Sequence, residues 1–112
     1  QPKTTEEERR QRTAAIQAAF RHATEVPLQI AEAAIRVLEL AATATRRGNP
    51  DMRTDAGVGV LLARAAVLGA LMNAKFNLTS LKDKQFVAQT QDQIERLRRR
   101  AIQMESKVLA SL

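Results

Sequence analysis

No cysteine occurs in the 112 residues, which excludes disulfides, thiolate metal sites and a cysteine nucleophile. Tryptophan and tyrosine are missing as well, aromatics amount to 3%, and His22 is the one histidine. A metal held by two histidines of one chain is therefore excluded. The net charge of +6 comes without stacking aromatics on a basic face and without a recognition motif, so nucleic-acid binding has charge as its only support. Glycine is scarce, at four residues, and neither a phosphate-cradling loop nor a nucleophile elbow is spelled out. The first residues, Q-P-K-T-T-E-E-E-R-R, lack the apolar stretch of a signal peptide, and Arg64 interrupts the longest apolar run. A cytoplasmic chain without a membrane span is the expectation.

What is present is a 45% apolar composition, much of it alanine. The length allows at most one domain. A core of Ala, Leu, Ile and Val suits closely spaced helices but gains less per buried side chain than one rich in Phe. Such a chain is a candidate for burying further surface against a partner. The positive balance points to an anionic partner or serves solubility alone.

The periodicity is helical throughout. Gln1 to Lys3 read as a frayed end, and Thr4 and Thr5 stand at capping-box distance from Glu7 and Glu8. Glu6 to Arg12 are all polar and are expected to project into solvent. A stripe then runs through Ile16, Ala19, Phe20 and Ala23 and keeps its phase across Pro27, where a kink or a junction of two helices is expected. His22, just before it, reads as a surface or capping residue. Beyond the proline, Leu28, Ala31, Ile35, Leu38 and Ala42 form one stripe, with Ile30, Ala34, Val37 and Ala41 beside it. That width predicts a helix covered on two sides. Arg46 and Arg47 fill its last turn, Gly48 reads as a left-handed stop, and Pro50 blocks continuation.

The stretch from Gly48 to Asp83 organises the rest. Asn49 to Thr54 form a polar turn in which Asp51 or Thr54 can cap the following helix, with Asp55 in its first turn. That helix, Asp55 to about Lys75, carries Val58, Leu61, Leu62, Leu68 and Met72. Another of its faces reads Gly59, Ala63, Ala66, Ala70, Asn73 and Asn77. A face of small residues lets a neighbouring helix approach closely, or leaves room for a flat ligand with the two asparagines at the end of the slot. Phe76 to Ser80 breaks the pattern, and Ser80 to Asp83 has cap spacing. The last helix carries Val87, Thr90, Ile94, Leu97, Ala101, Met104 and Val108 in heptad-like alternation, with Arg96, Arg99, Arg100 and Lys107 opposite. The run Arg98 to Arg100 is a solvated face or an anion contact. By spacing alone, Asp51, Asp55 and Asp83 read as caps.

The run G-N-P-D-M-R-T-D-A-G-V-G-V-L-L-A-R-A-A-V-L-G-A-L-M-N-A-K-F-N-L, followed by L-K-D, resembles the cyclodeaminase/cyclohydrolase family of tetrahydrofolate enzymes, as does the upstream A-A-F-R-H-A-T-E-V-P-L. The family includes the cyclodeaminase part of formiminotransferase-cyclodeaminase and the small methenyltetrahydrofolate cyclohydrolases. Its most specific elements are the Gly-Asn turn, the Ser/Thr-Asp helix start (here Thr54-Asp55) and two asparagines four residues apart. The resemblance covers nearly all of these residues but only the C-terminal part of the family's domain. The preceding helical half, with its G-G-G-S-type segment and an acidic catalytic residue, has no counterpart here.

What the resemblance implies is an all-α antiparallel bundle of about four helices, its long helix kinked near Pro27, completed by that N-terminal half or by a dimer partner. Residues 1–112 would be one part of a single helical domain. The implied activity interconverts open (5-formimino or 10-formyl) and ring-closed 5,10-methenyl-tetrahydrofolate, by cyclodeamination or hydrolysis. Asp55 and Asp83 would move protons, and Asn49, Asn73 and Asn77 would hold the substrate. Basic side chains would meet the glutamate tail. A homodimer is implied, with no metal and no cofactor beyond the tetrahydrofolate substrate. The rival reading is a non-catalytic helical dimerisation or interaction module, supported by the heptad stripe and the alanine-rich faces.

Overall fold

The computed structural model describes residues 5–112; the expectations for Gln1 to Thr4 fall outside the described residues. The chain is all-α: α1 (Glu6–Arg47), a 3-10 turn (Pro50–Met52), α2 (Arg53–Leu78) and α3 (Lys84–Ser111). Among the described residues there are therefore three long helices, against about four expected from the sequence, because α1 runs through Pro27 as one 42-residue helix.

The register is fixed by cross-helix contacts. Gly59 lies against Ala41 and Asn77 reaches Ala23, so α1 and α2 are antiparallel. Glu32 with Gln93 and Glu39 with Arg100 set α3 parallel to α1 and so antiparallel to α2, where Arg64 meets Glu105. At Gly59 a Cβ would stand 3.9 Å from the Ala41 Cβ, an ordinary contact. The outer end of α1 overshoots the bundle: residues 6–16 are all exposed, and the molecule extends 70 × 24 × 15 Å.

Proline inside a helix removes the N–H that would bond the carbonyl four residues back and crowds that turn, typically at about 3 kcal/mol. Here the orphaned acceptor is Ala23 O, and the Asn77 amide donates to it at 2.9 Å. Pro27 itself is buried between Thr24 and Leu28. The lost bond is thus replaced from another helix, which is the physical reason α1 does not end there.

Capping follows the sequence in part. Thr5 accepts from Glu8 N at 3.1 Å behind three first-turn glutamates. Asp83 itself, rather than Ser80, caps α3 by accepting from Phe86 N at 3.0 Å. Neither Asp51 nor Thr54 caps α2; Met52 occupies that position without a side-chain bond, and Asn49 instead accepts from Asp51 N at 3.0 Å to start the 3-10 turn. Gly48 is extended (φ −80°, ψ 174°) rather than left-handed. Glycine is needed there for space, since a Cβ would lie 2.5 Å from Ala44 O.

The core joins Leu28, Ile35 and Leu38 of α1 to Val60, Val67 and Leu71 of α2 and Ile94, Met104 and Val108 of α3. The second stripe of α1 is not covered on both sides as its width predicted: Ala34 is buried, but Ile30 and Val37 are more than half exposed. Pro50–Leu78 has the length and mean hydropathy (1.6) of a membrane span despite Arg64, so that residue does not exclude one by composition. In the fold, Arg64 reaches Glu105 at 3.3 Å and α1 and α3 pack against this helix, as around the central helix of a helical domain.

Candidate functional site

The five residues singled out in the sequence lie at two ends of α2. Asn49 and Asp55 stand at its start; Asn73, Asn77 and Asp83 stand at its finish. Asp55 and Asn77 are twenty-two residues apart on one helix, about 33 Å at 1.5 Å per residue. The two aspartates are therefore not brought together within one chain.

At the first end, Asp55 is exposed in the first turn of α2, where the helix N-terminus favours a carboxylate. Asn49 spends its side-chain oxygen on the 3-10 turn. The Leu112 side chain lies against Gly57 here, 2.8 Å from where a Cβ would stand.

At the other end, the turn between α2 and α3 is tied to α1 by two amides. Gln17 donates to Ser80 O at 3.0 Å and accepts from Lys82 N at 2.8 Å. Asn77 donates to the Ala23 carbonyl. The Arg21 guanidinium lies 4.3 Å over the Phe86 ring, adding a cation–π contact just past Asp83. Asn73 is exposed and Asn77 half-buried. Of this group Gln17 carries no sequence signal: its role depends on a backbone pair more than sixty residues away. One donor of Asn77 is committed to structure, leaving its second N–H and its Oδ1 for a ligand.

Two grooves are lined by other residues. One of ≈ 830 Å³ lies at the far end of α3 beside Arg46, Arg100 and Lys107. The other, ≈ 590 Å³, runs between α2 and α3, with Leu68, Leu71 and Ile94 below and Arg64, Lys75 and Arg98 at the rim. The basic run is largely matched within the chain: Arg98 and Arg99 both bond Glu95, and Arg96 bonds Asp92. Hydrogen bonds from Arg98 and Arg99 hold the Glu95 carboxyl down at about 2. His22 is exposed. Among the described residues no three His, Asp or Glu side chains gather as a metal site.

Comparison with known proteins joins these pieces. The profile of the family described as Formiminotransferase-cyclodeaminase matches residues 1–96. The chain is similar to a methenyltetrahydrofolate cyclohydrolase of Methylorubrum extorquens, 38% identical over 96 residues, which are 86% of this chain and 46% of that protein. It is also similar to the formimidoyltransferase-cyclodeaminases of Gallus gallus and Rattus norvegicus, 34% and 33% identical over 111 residues, 99% of this chain and 20% of each relative. The chain thus spans about half the length of the first of these relatives, and a fifth of the others. With the family profile covering most of its residues, the chain belongs to the formiminotransferase-cyclodeaminase family.

Proposed function

We propose that this chain forms part of a tetrahydrofolate one-carbon enzyme. The reaction is closure of 5-formimino-tetrahydrofolate to 5,10-methenyl-tetrahydrofolate with loss of ammonia, or hydrolytic opening of the methenyl form to 10-formyl-tetrahydrofolate. The observation that carries the reading is the family match across residues 1–96, which takes in all of α2 and both flanking turns.

The chemistry asks for little beyond placement and proton transfer. In closure, N10 adds to the formimino carbon and gives up its proton, the amino group of the tetrahedral adduct takes a proton, and ammonia departs. In opening, water adds to the methenyl carbon and loses a proton; the bond to N5 then breaks as N5 is protonated and the remaining hydroxyl gives up its proton to become the formyl carbonyl. Holding the reacting atoms together is worth roughly 7–11 kcal/mol at best. Carboxylates at hydrogen-bond reach supply the proton steps. No electrons are transferred, so no redox cofactor is needed.

Asp55 and Asp83 are the proton-transfer groups of this reading, with Asn49, Asn73 and the uncommitted part of Asn77 as substrate contacts. Since the two aspartates stand at opposite ends of α2, each serves a site shared with groups from outside this chain, in a cytoplasmic homodimer. The test is turnover of 5,10-methenyl- and 5-formimino-tetrahydrofolate, following the methenyl chromophore and released ammonia separately. Asp55→Asn or Asp83→Asn should lower kcat by about 10²–10⁴ with little change in fold. If neither substrate turns over in the assembled protein, or both variants retain full activity, the reading fails. A non-catalytic helical interaction module is the second reading; Asn77 favours it, because its amide already has a structural acceptor.

A further inference from the structure

The turn that carries Asp83 is held by two short ladders with a gap between them. At the end of α2 the N–H groups of Thr79, Ser80 and Leu81 each reach back three residues, to the carbonyls of Phe76, Asn77 and Leu78. At the start of α3 the N–H groups of Phe86 and Val87 reach the Asp83 side chain and carbonyl. In the gap, among the described residues, the Lys82 N–H has no backbone acceptor and the Ser80 carbonyl no backbone donor. An unpaired backbone group is a place where a turn can move unless something else bonds it. Gln17 of α1 bonds both: its amide donates to Ser80 O at 3.0 Å and accepts from Lys82 N–H at 2.8 Å. Two bonds from one planar group fix the chain on either side of Leu81, whose side chain packs on the core.

The bond to Lys82 lies one residue before Asp83. Asp83 commits Oδ1 to Phe86 N–H, and its other oxygen has no hydrogen bond among the described residues. Where that oxygen stands depends on the backbone at 82 and 83, which Gln17 ties to α1. Asn77 is tied to the same helix through Ala23 O, six residues on from Gln17, about 9 Å at 1.5 Å per residue. One stretch of α1 therefore holds both groups in a fixed relation. We infer that Gln17 is a positioning residue for the proposed reaction, setting the free oxygen of Asp83 against Asn77 at the substrate. The inference rests on the folate reading, in which Asp83 moves protons.

The test uses the assembled protein. Gln17→Met keeps the length of the side chain and removes both hydrogen bonds. It should lower kcat about ten- to a hundredfold while KM stays within about twofold, because a displaced proton-transfer group is felt in the transition state. In an Asp83→Asn background the same change should lower kcat by less than about twofold, since Gln17 acts through Asp83. NMR order parameters, which need no turnover, should fall at the Lys82 and Asp83 amides from about 0.85 towards about 0.6. Gln17→Glu still accepts from Lys82 N–H and should lose less than Gln17→Met by both measures. An unchanged kcat, a loss that falls on KM, or equal losses with and without Asp83 overturns the inference. So does a turn that stays ordered, a Gln17→Glu variant as impaired as Gln17→Met, or a Gln17→Met protein that has lost its urea transition, which would make Gln17 a residue of stability alone. If the turn loosens but Asp83→Asn is fully active, the folate reading of Asp83 has failed and the positioning role with it, while the tie of Gln17 to the turn stands.

Discussion

The two sides of α2 are built from the same kinds of residue and meet opposite fates. On the inner side Val60, Val67 and Ala74 are fully buried and Leu71 is 3% exposed; on the outer side Leu62, Met72 and Phe76 face solvent. Composition does not distinguish them, and only packing against α1 and α3 does. Burial along α2 therefore reports which helices pack against it, and not residue type.

A matched pair of leucines tests that comparison most severely. Leu71→Ala removes a side chain from the covered side and should cost about 2–5 kcal/mol in urea unfolding. Leu62→Ala, on the same helix, should stay within about 0.5 kcal/mol in the isolated chain. Equal losses would show that the outer side is already covered, and the comparison would break.

Next in size is the replacement bond at the α1–α2 seam. Asn77→Ala leaves the Ala23 carbonyl to water, since the site is only half-buried, and should cost about 0.5–1.5 kcal/mol. In a Pro27→Ala background the residue at 27 regains its N–H and can serve Ala23 directly, so the cost of Asn77→Ala should shrink. A coupling of at least about 0.5 kcal/mol in the double-mutant cycle is expected. Additive losses would mean that the amide and the proline are unrelated. Gln17→Ala should act more locally, speeding amide exchange at Lys82, whose N–H it accepts, while leaving α3 protected.

Much of this was legible in the chain because it depends on near neighbours. The Thr5 cap, the end of α1 after Arg47, and the buried stripes of α1 and α3 are all set within a few residues. The continuity of α1 was not, because the group that satisfies Ala23 comes from fifty-four residues away. The outer face of α2 was visible as apolar residues at helical spacing, but spacing does not say which of two apolar sides is covered. The site was legible as residue types and as a family resemblance; its division between two ends of a 26-residue helix follows only once α2 is seen to be continuous.

The smallest effect lies at the rim of the groove on the covered side. Glu95 accepts hydrogen bonds from both Arg98 and Arg99, which hold its carboxyl at about 2, well below the ordinary carboxylate value. Because the folded value is depressed, the carboxylate favours the folded state at pH above the unfolded value, about 4.3. That contribution is lost as pH falls from there through about 2. The pair is solvent-exposed, so screening keeps the gain small, and salt should reduce it further. A carbon-detected NMR titration should find the Glu95 midpoint well below the ordinary carboxylate value, and Arg98→Gln should raise it. A Glu95 midpoint in the ordinary glutamate range would show that the arginines face solvent and leave the rim of the groove positively charged.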